Sequence, residues 1–329
     1  MVKQMDENRR SSPDMAQAFT LLAAVQAQIE SVVIGKPQAI RLALVSYLAK
    51  GHVLLEDLPG TGKTTLAKTI ARTLGLGFKR IQFTPDLMPS DITGMNYYNT
   101  RSGEFVFRPG PVFTNILLAD EINRTTPRTQ SALLEAMEEQ QITIEGVTKP
   151  LSQPFFVMAT QNPIDSDGTF PLPSAQQDRF LLKIKLGYPS RSDEAEIVRR
   201  HAFASPLETL SPVLTEEQAL FLREMASKVY LDDALVGYIL DLVEASRRHE
   251  EVSLALSSRS SIAMVRSAKA LALLEGRAFV LPDDIKALII PVFGHRLMLK
   301  KAEAYKGKSA EDLLLQMMKQ IPLNFKEDV

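Results

Sequence analysis

The chain of 329 residues contains no cysteine and only four histidines. The absence of cysteine excludes disulfides, thiol catalysis and thiolate metal sites. With so few histidines and no HExxH pattern, a zinc site is not expected. No apolar run approaches the ~20 residues that a membrane span needs, and the polar N-terminus, MVKQMDENRRSSPD, is unlike a signal peptide. Residues 1–15 are expected to be a frayed, polar start. We therefore expect a soluble, cytoplasmic protein with no membrane span.

Neither sign of charge is in clear excess, because the formal net charge is −1. Domains that bind nucleic acid are usually basic, so this balance gives no support to nucleic acid as a partner. Charged residues make up 23% and hydrophobic residues 45% of the chain, which is typical of a globular protein with a buried core. The length favours about two domains.

Short apolar segments alternate with helical patterns up to about residue 190. Such alternation predicts a parallel sheet that is covered by helices on both faces. The predicted strands lie at 52–56, 78–83, 115–121, 154–162 and 179–186. Two hairpins are also predicted, one within 91–113 that turns near Ser102-Gly103 and one that turns at Glu145-Gly146.

The remainder of the chain has helical periods and no convincing strand. One predicted helix carries an apolar stripe of Ile262, Val265, Ala268 and Ala272. The next begins at Pro282 and carries a stripe of Ile285, Leu288, Ile289 and Val292. We therefore predict an α/β domain at residues 1–190, followed by a smaller all-helical domain at 191–329.

The segment HVLLEDLPGTGKTTLAKTI, residues 52–70, reads as a strand, a glycine loop and the start of a helix. In such a loop Gly60 and Gly62 let successive backbone N–H groups face one point, and the helix N-terminus adds its own N–H groups. Lys63 would reach the β- and γ-phosphates of a nucleotide, and the hydroxyl of Thr64 would hold Mg²⁺. A plain glycine turn before an ordinary helix is the alternative.

Asp57 occupies the position where the general phosphate-loop pattern has its first glycine. Aspartate tolerates turn geometry better than most residues. A carboxylate directed at phosphate would repel it, so we expect the Asp57 side chain to point away from the loop. On this basis Asp57 weakens nucleotide binding modestly, and a glycine in its place tightens it.

Two acids and an amide follow predicted strands. Asp120 and Glu121 end the apolar segment NILLADE. Carboxylates are costly to bury at such a place unless they have a functional role. One can bind Mg²⁺ and the other can polarise the attacking water; an ion pair with Arg124 is the alternative. Asn162 ends the segment PFFVMATQN and can orient that water, although asparagine is also common in turns.

Two arginines complete the candidate set. Arg179 starts the predicted strand at 179–186, and phosphoryl transfer often uses an arginine from a neighbouring subunit. Arg259 lies in the first turn of a helix capped by Ser257 or Ser258, where a cation opposes the helix dipole unless an anion is bound nearby. The alternatives are a surface ion pair and a solvated arginine. We expect both arginines to converge with the loop, the acids and the amide on one triphosphate.

Long phrases of this chain resemble the MoxR family of AAA+ ATPases. The phrases that carry the resemblance are GHVLLEDLPGTGKT (51–64), FTPDLMPSDITG (83–94), EFVFRPGPVFTNILLADEINR (104–124), QSALLEAMEEQQITIEG (130–146), ATQNPID (159–165), FPLPSAQQDRFLLKIKLGYPS (170–190) and SSRSSIAMVRSAKALALLEGRAFVLPDDIKAL (258–288). The resemblance implies a P-loop NTPase domain of AAA+ type, with a parallel sheet flanked by helices and a helix-2 insert at 91–113. A smaller all-α lid domain would follow.

The resemblance also implies residue roles. ATP and Mg²⁺ would be the cofactors, with Thr64 and Asp120 on the metal, Glu121 as general base and Asn162 as sensor 1. Arg179 would be the trans-acting arginine finger and Arg259 sensor 2. The nucleotide-binding residues would be Val33, Ile34 and Gly35 at the adenine, and Pro59, Gly60, Thr61, Gly62, Lys63, Thr64 and Thr65 in the loop.

Such proteins are expected to form homo-oligomeric rings, usually hexamers, and to remodel or mature protein complexes, often with von Willebrand A-type partners. This chain departs from the family pattern at Asp57, where glycine is usual, and at Ser258, where proline is usual. Both departures bear on affinity and rate. A nucleotide-gated binding module with little hydrolysis, a metal-chelatase subunit and a nucleic-acid motor remain as alternative functions.

Overall fold

A computed structural model describes residues 12–58, 60–162, 169–201 and 207–322. Its centre is a five-stranded sheet with the order β2-β5-β8-β1-β9, in which all neighbouring strands are parallel. These strands are β1 (Val53–Glu56), β2 (Phe78–Gln82), β5 (Ile116–Asp120), β8 (Phe156–Gln161) and β9 (Leu182–Ile184). The predicted parallel sheet is therefore confirmed.

The sheet is buried on both faces, as its nearly continuous apolar sequence predicts. Side chains alternate between two cores, so that Leu55 and Leu118 face one core while Leu54 and Leu117 face the other. The parallel register aligns the carboxyl ends of β1, β5 and β8 at one edge. Polar residues that follow these strands are thereby brought to one side of the molecule.

Helices cover the sheet and connect its strands. The first six are α1 (Pro13–Val32), α2 (Pro37–Leu48), α3 (Lys63–Thr73), α4 (Pro89–Thr93), α5 (Pro127–Glu139) and α6 (Ser174–Gln177), with a 3₁₀ turn at Ile122–Arg124. The two predicted hairpins are confirmed as β3 (Gly94–Asn99) with β4 (Glu104–Pro109), and β6 (Gln141–Ile144) with β7 (Val147–Pro150). None of the helices in the described part of the chain combines the length and the apolar composition that a membrane span requires.

The C-terminal part is mainly helical. Its helices are α7 (Arg191–His201), α8 (Glu216–Lys228), α9 (Asp233–Arg248), α10 (Ser258–Leu274), α11 (Pro282–Phe293), α12 (Lys301–Tyr305) and α13 (Ala310–Gln320). The sequence pattern predicts no strand here, but β10 (Val252–Leu254) pairs antiparallel with β11 (Met298–Leu299). Strands of two and three residues are too short to show an alternating pattern.

Three further expectations need correction. The strand predicted at 179–186 is only three residues long, because Arg179 lies in a turn after α6. Ile262 is predicted on one apolar stripe with Val265, Ala268 and Ala272 but is 53% exposed, whereas the predicted stripe of α11 is fully buried. Residues 13–15 were expected to fray with the N-terminus but begin α1, whose N-cap Ser12 accepts the backbone N–H of Met15.

Candidate functional site

The glycine loop directly follows β1 and leads into α3. Gly60 and Gly62 have φ angles of 80° and 92°, a left-handed conformation that side chains disfavour. Gly62 is also the N-cap of α3, so the unpaired N–H groups of the first helical turn face the loop. These features match the predicted anion-binding loop. Pro59, assigned to the same loop, lies outside the described residues.

The loop forms one wall of a cleft of about 390 Å³. The lining of this cleft consists of Gly60, Thr61, Gly62, Lys63, Thr64, Thr65, Arg80, Gln82, Asp120, Glu121, Thr160 and Asn162. The lysine, both acids and the amide that the sequence singled out therefore share one cleft. Asn162 is buried, and its backbone carbonyl accepts a hydrogen bond from the side chain of Asn123 at 3.2 Å.

Lys63 has its ammonium group folded back onto the loop. Its Nζ donates to the backbone oxygens of Asp57 at 3.0 Å and Leu58 at 2.7 Å. These neutral oxygens satisfy two of the three ammonium donors but do not compensate the charge. An anion in the cleft offers Lys63 a stronger, charge-assisted hydrogen bond.

Asp120 is buried at the end of β5 and is held on both carboxylate oxygens. The Thr160 hydroxyl donates to Oδ1 at 2.6 Å, and Arg80 NH2 forms an ion pair with Oδ2 at 2.6 Å. Arg80 reaches Asp120 because β2 pairs with β5 in parallel register. The carboxylate is thus fixed in direction, and its charge is partly balanced without a metal.

Glu121 has a φ angle of 56°, which is unusual for a residue other than glycine and is found often at functional sites. Its backbone N–H donates to the Thr160 hydroxyl at 2.8 Å. Its Oε2 accepts from Arg124 at 2.9 Å and from Gln82 at 2.8 Å. The ion pair with Arg124 considered in the sequence analysis therefore forms, while Glu121 still lines the cleft.

Sequence reasoning missed three lining residues, namely Arg80, Gln82 and Thr160. Arg80 and Gln82 lie two apart on a predicted strand, so their side chains share a face, and this was the available signal. Nothing in the sequence distinguishes Thr160 from any other strand threonine. Its role depends on the neighbouring strand that supplies Asp120.

The donor set fits Mg²⁺ bound together with a nucleotide. Mg²⁺ usually keeps several waters and takes one or two carboxylates plus substrate phosphates. Asp120 and the Thr64 hydroxyl lie in the cleft and match that chemistry. A cluster of three or more acidic, histidine or cysteine ligands is not found among the described residues, and a nucleotide-bound Mg²⁺ does not need one.

The two arginines lie elsewhere. Arg179 and Arg259 line a second cavity, of about 220 Å³, and neither lines the cleft of the glycine loop among the described residues. Both pair with Glu138 of α5, Arg179 at 3.0 Å and Arg259 at 2.6 Å. Arg259 lies in the first turn of α10 after the N-cap Ser257, as predicted. The expected convergence of the arginines on the same cleft is therefore not met within one chain.

The predicted adenine segment also lies outside the lining of the cleft. Val33 is buried, Ile34 is half-buried, and Gly35 packs against the side chain of Asp193. A Cβ atom built on Gly35 would lie 2.4 Å from the Asp193 carboxylate. Gly35 therefore faces the start of α7, and none of the three residues lines the cleft of the glycine loop.

Asp57 points away from the loop, as predicted. Its carboxylate is buried and accepts backbone N–H groups from Leu58, Leu186 and Gly187. Asp57 is not among the residues with a positive φ angle, so the first loop position does not need glycine here.

A glycine loop after the first strand of a parallel sheet, with an acidic pair at the end of β5 in the same cleft, defines the fold of a P-loop NTPase. The model of the ATPase family associated with various cellular activities (AAA) matches residues 52–182, and the AAA lid domain matches residues 244–316. The chain belongs to the MoxR family of AAA+ ATPases, as its similarity to proteins of that name shows.

Among the relatives, Chaperone MoxR1 of Mycobacterium tuberculosis is 43% identical over 86% of this chain and 77% of its own length. Protein MoxR of Paracoccus denitrificans is 33% identical over 84% and 88%. The uncharacterized protein YeaC of Bacillus subtilis is 49% identical over 91% and 93%. The crystal structure of a suspected ATPase from Cytophaga hutchinsonii is 36% identical, covers 98% of this chain and 99% of its own, and superposes with a TM-score of 0.90.

Proposed function

We propose that this protein hydrolyses ATP with Mg²⁺ and uses the energy to remodel partner proteins. The observation that carries the proposal is the single cleft that Lys63, Asp120, Glu121 and Asn162 share with the glycine loop. Backbone N–H groups from residues 60–65 would hold the phosphates. Family membership supports ATPase activity in general, and the residue roles are inferred from the geometry.

The side chains of the cleft would act one after another during nucleotide binding and hydrolysis. Arrival of the phosphates draws Lys63 from the carbonyls of Asp57 and Leu58, because a phosphate is a stronger acceptor than a neutral carbonyl. Mg²⁺, held by Asp120 and Thr64, would neutralise charge on the phosphates. Glu121 would accept a proton from the attacking water, and Asn162 would orient that water.

The decisive test replaces the proposed general base. Glu121→Gln keeps the size of the side chain but removes the basic oxygen, so ATP turnover should fall at least ~100-fold while nucleotide binding persists. Steady-state phosphate release and equilibrium titration with ATP measure the two quantities. Glu250→Gln, at an exposed acid outside the cleft, is the matched control and should retain turnover. Equal turnover in Glu121→Gln would exclude this role.

A nucleotide-gated module with little hydrolysis is the second candidate. The observation that favours it is the engagement of Glu121 Oε2 by both Arg124 and Gln82, which lowers its availability as a base. Turnover measured from dilute to concentrated protein separates the two functions. A rate per chain that rises with concentration supports an ATPase completed by assembly, whereas binding without turnover at every concentration supports the gated module.

We further propose a homo-oligomeric ring, with hexamer as the expected size. In such a ring Arg179 would act on the nucleotide of the adjacent subunit. Arg259 lines the same cavity as Arg179 and pairs with the same Glu138, so Arg259 would face the same neighbouring subunit. One relative is named a chaperone, which supports protein partners. Von Willebrand A-type domains are the partners that the family resemblance implies. Capture of partners on the Glu121→Gln protein with ATP, compared with no nucleotide, tests this part of the proposal.

A further inference from the structure

Asp57 joins two parts of the chain that are far apart in sequence. Its Oδ2 accepts the backbone N–H groups of Leu186 and Gly187, both at 2.7 Å, and its Oδ1 accepts the N–H of Leu58 at 2.8 Å. The side chain is buried, so the carboxylate needs these donors to offset its lost hydration. Three hydrogen bonds to a charged acceptor make this a specific and strong contact.

The segment that Asp57 holds connects the sheet to the helical part. It follows β9, which ends at Ile184, and precedes α7, which begins at Arg191. The buried Lys36 holds the same two residues from their other side, since its Nζ donates to the carbonyls of Leu186 at 2.9 Å and Gly187 at 2.8 Å. Both peptide N–H groups and both carbonyls of residues 186–187 are thus bound by charged side chains.

Asp57 also contacts the phosphate-binding lysine through its main chain. Lys63 Nζ donates to the Asp57 carbonyl at 3.0 Å, while the Asp57 side chain holds residues 186–187. A phosphate that draws Lys63 away removes this hydrogen bond from the Asp57 backbone. The carbonyl that Lys63 contacts and the carboxylate that holds residues 186–187 belong to the same residue. Loss of the Lys63 hydrogen bond can therefore reach the connection to the helical part through Asp57 alone.

We propose that Asp57 is a positioning residue that couples the phosphate-binding cleft to the connection at residues 186–187. Nucleotide binding changes the stability of this connection, and the connection in turn changes nucleotide affinity, because such coupling is reciprocal. The proposal rests on the proposed binding of nucleotide in the cleft. A glycine at this position would leave the N–H groups of Leu186 and Gly187 without this acceptor.

The contact itself is tested without nucleotide. In Asp57→Asn the amide has a single oxygen, so at least one of the three N–H donors faces an NH₂ group instead. Amide hydrogen exchange at one or more of residues 58, 186 and 187 should become at least ~10-fold faster than in the wild-type chain. Asp241→Asn, at an exposed aspartate of α9, is the matched control and should leave these amides unchanged. Unchanged exchange in Asp57→Asn would overturn the contact.

The coupling is tested on the wild-type chain with ADP as probe, so it does not depend on the folding of a variant. Saturating ADP should change exchange at residues 186 and 187 by ~3-fold or more, whereas Asp57→Asn should bind ADP more weakly and lose this response. Calorimetry reports binding separately. ADP binding with no response in the wild-type chain overturns the coupling alone, while no ADP binding overturns the proposed function as well. Tighter binding by Asp57→Asn would mean that charge repulsion dominates, as the sequence suggested, and would also overturn the proposal.

Discussion

At the scale of single residues, Thr160 determines how the two acids are presented. Its hydroxyl donates to Asp120 at 2.6 Å and accepts the Glu121 N–H at 2.8 Å, in a position that is only 1% exposed. Glu121 needs such support because its left-handed backbone conformation is disfavoured. One hydroxyl group therefore fixes both the carboxylate that we propose for the metal and the proposed base.

Thr160→Val tests this role with almost no change in volume. It leaves the half-buried Glu121 N–H and the buried Asp120 Oδ1 without this hydroxyl, so the free energy of unfolding should fall by about 1–3 kcal/mol. If Glu121 then leaves its position, kcat should fall about tenfold, which corresponds to about 1.4 kcal/mol. Urea unfolding and steady-state turnover measure the two effects. Thr160→Ser retains the hydroxyl and should preserve most of the stability and most of the turnover. If Thr160→Ser and Thr160→Val lost stability and turnover equally, the assigned role would be contradicted.

At the scale of elements, His52 joins three pieces of the α/β core. It immediately precedes β1, its Nδ1 accepts the N–H of Val157 in β8, and its Nε2 donates to the carbonyl of Met137 in α5. The first hydrogen bond requires an unprotonated Nδ1, which fixes the neutral tautomer. Burial lowers the pKa of His52 from 6.5 to about 4, so the folded protein keeps the neutral ring well below neutral pH.

This depressed pKa predicts a loss of stability in mild acid. Between pH 6.5 and pH 4 the unfolded chain binds a proton at His52 that the folded chain does not, so stability falls as the pH falls. From about pH 7 to about pH 5, the wild-type chain should lose about 2 kcal/mol more than His52→Gln does. Urea unfolding at each pH measures the difference. Parallel pH profiles for the two proteins would show that His52 does not titrate in this way.

At the scale of the whole molecule, a charged contact docks the helical part on the segment between α6 and β9. Arg296, buried after α11, pairs with Asp178 at 2.7 Å and donates to the backbone carbonyls of Phe180 and Leu181. Arg179 and Arg259 lie beside this contact and line the same cavity. The position of the helical part therefore determines which arginines lie together, and it places them away from the chain's own glycine loop.

The proposed trans role of Arg179 predicts complementation between two inactive variants. Arg179→Ala keeps its own Glu121 but lacks the arginine, and Glu121→Gln has the reverse defect. In an equal random mixture about a quarter of sites should combine both intact groups, giving roughly a quarter of wild-type turnover. Phosphate release from the mixture and from each variant alone measures this.

Arg199→Ala is the control for the complementation experiment. It removes an arginine of α7 whose side chain is 74% exposed, and its turnover should equal that of the wild-type chain. A mixture that is no more active than the mean of its components would contradict the trans role.

The sequence predicted most of the fold because strong local patterns accompany each element. Pro37 starts α2, Pro127 starts α5, and continuous apolar runs mark β5 and β8. The prediction from sequence was wrong where the local pattern was weak or misleading. Ile262 fits an apolar helical stripe but faces solvent, because only the packing of neighbouring helices decides which face of α10 is covered.

The same distinction between local sequence patterns and tertiary packing applies to the candidate site. The sequence by itself determined the glycine loop, Lys63 and the acidic pair, because a phosphate-binding turn and acids at the end of a buried strand are local features. Only the tertiary structure decided that Thr160 bridges those acids, that Asp57 holds residues 186–187, and that Arg179 and Arg259 meet at Glu138. These contacts join residues from separate elements, and their partners are chosen by strand order and helix packing rather than by the adjacent sequence.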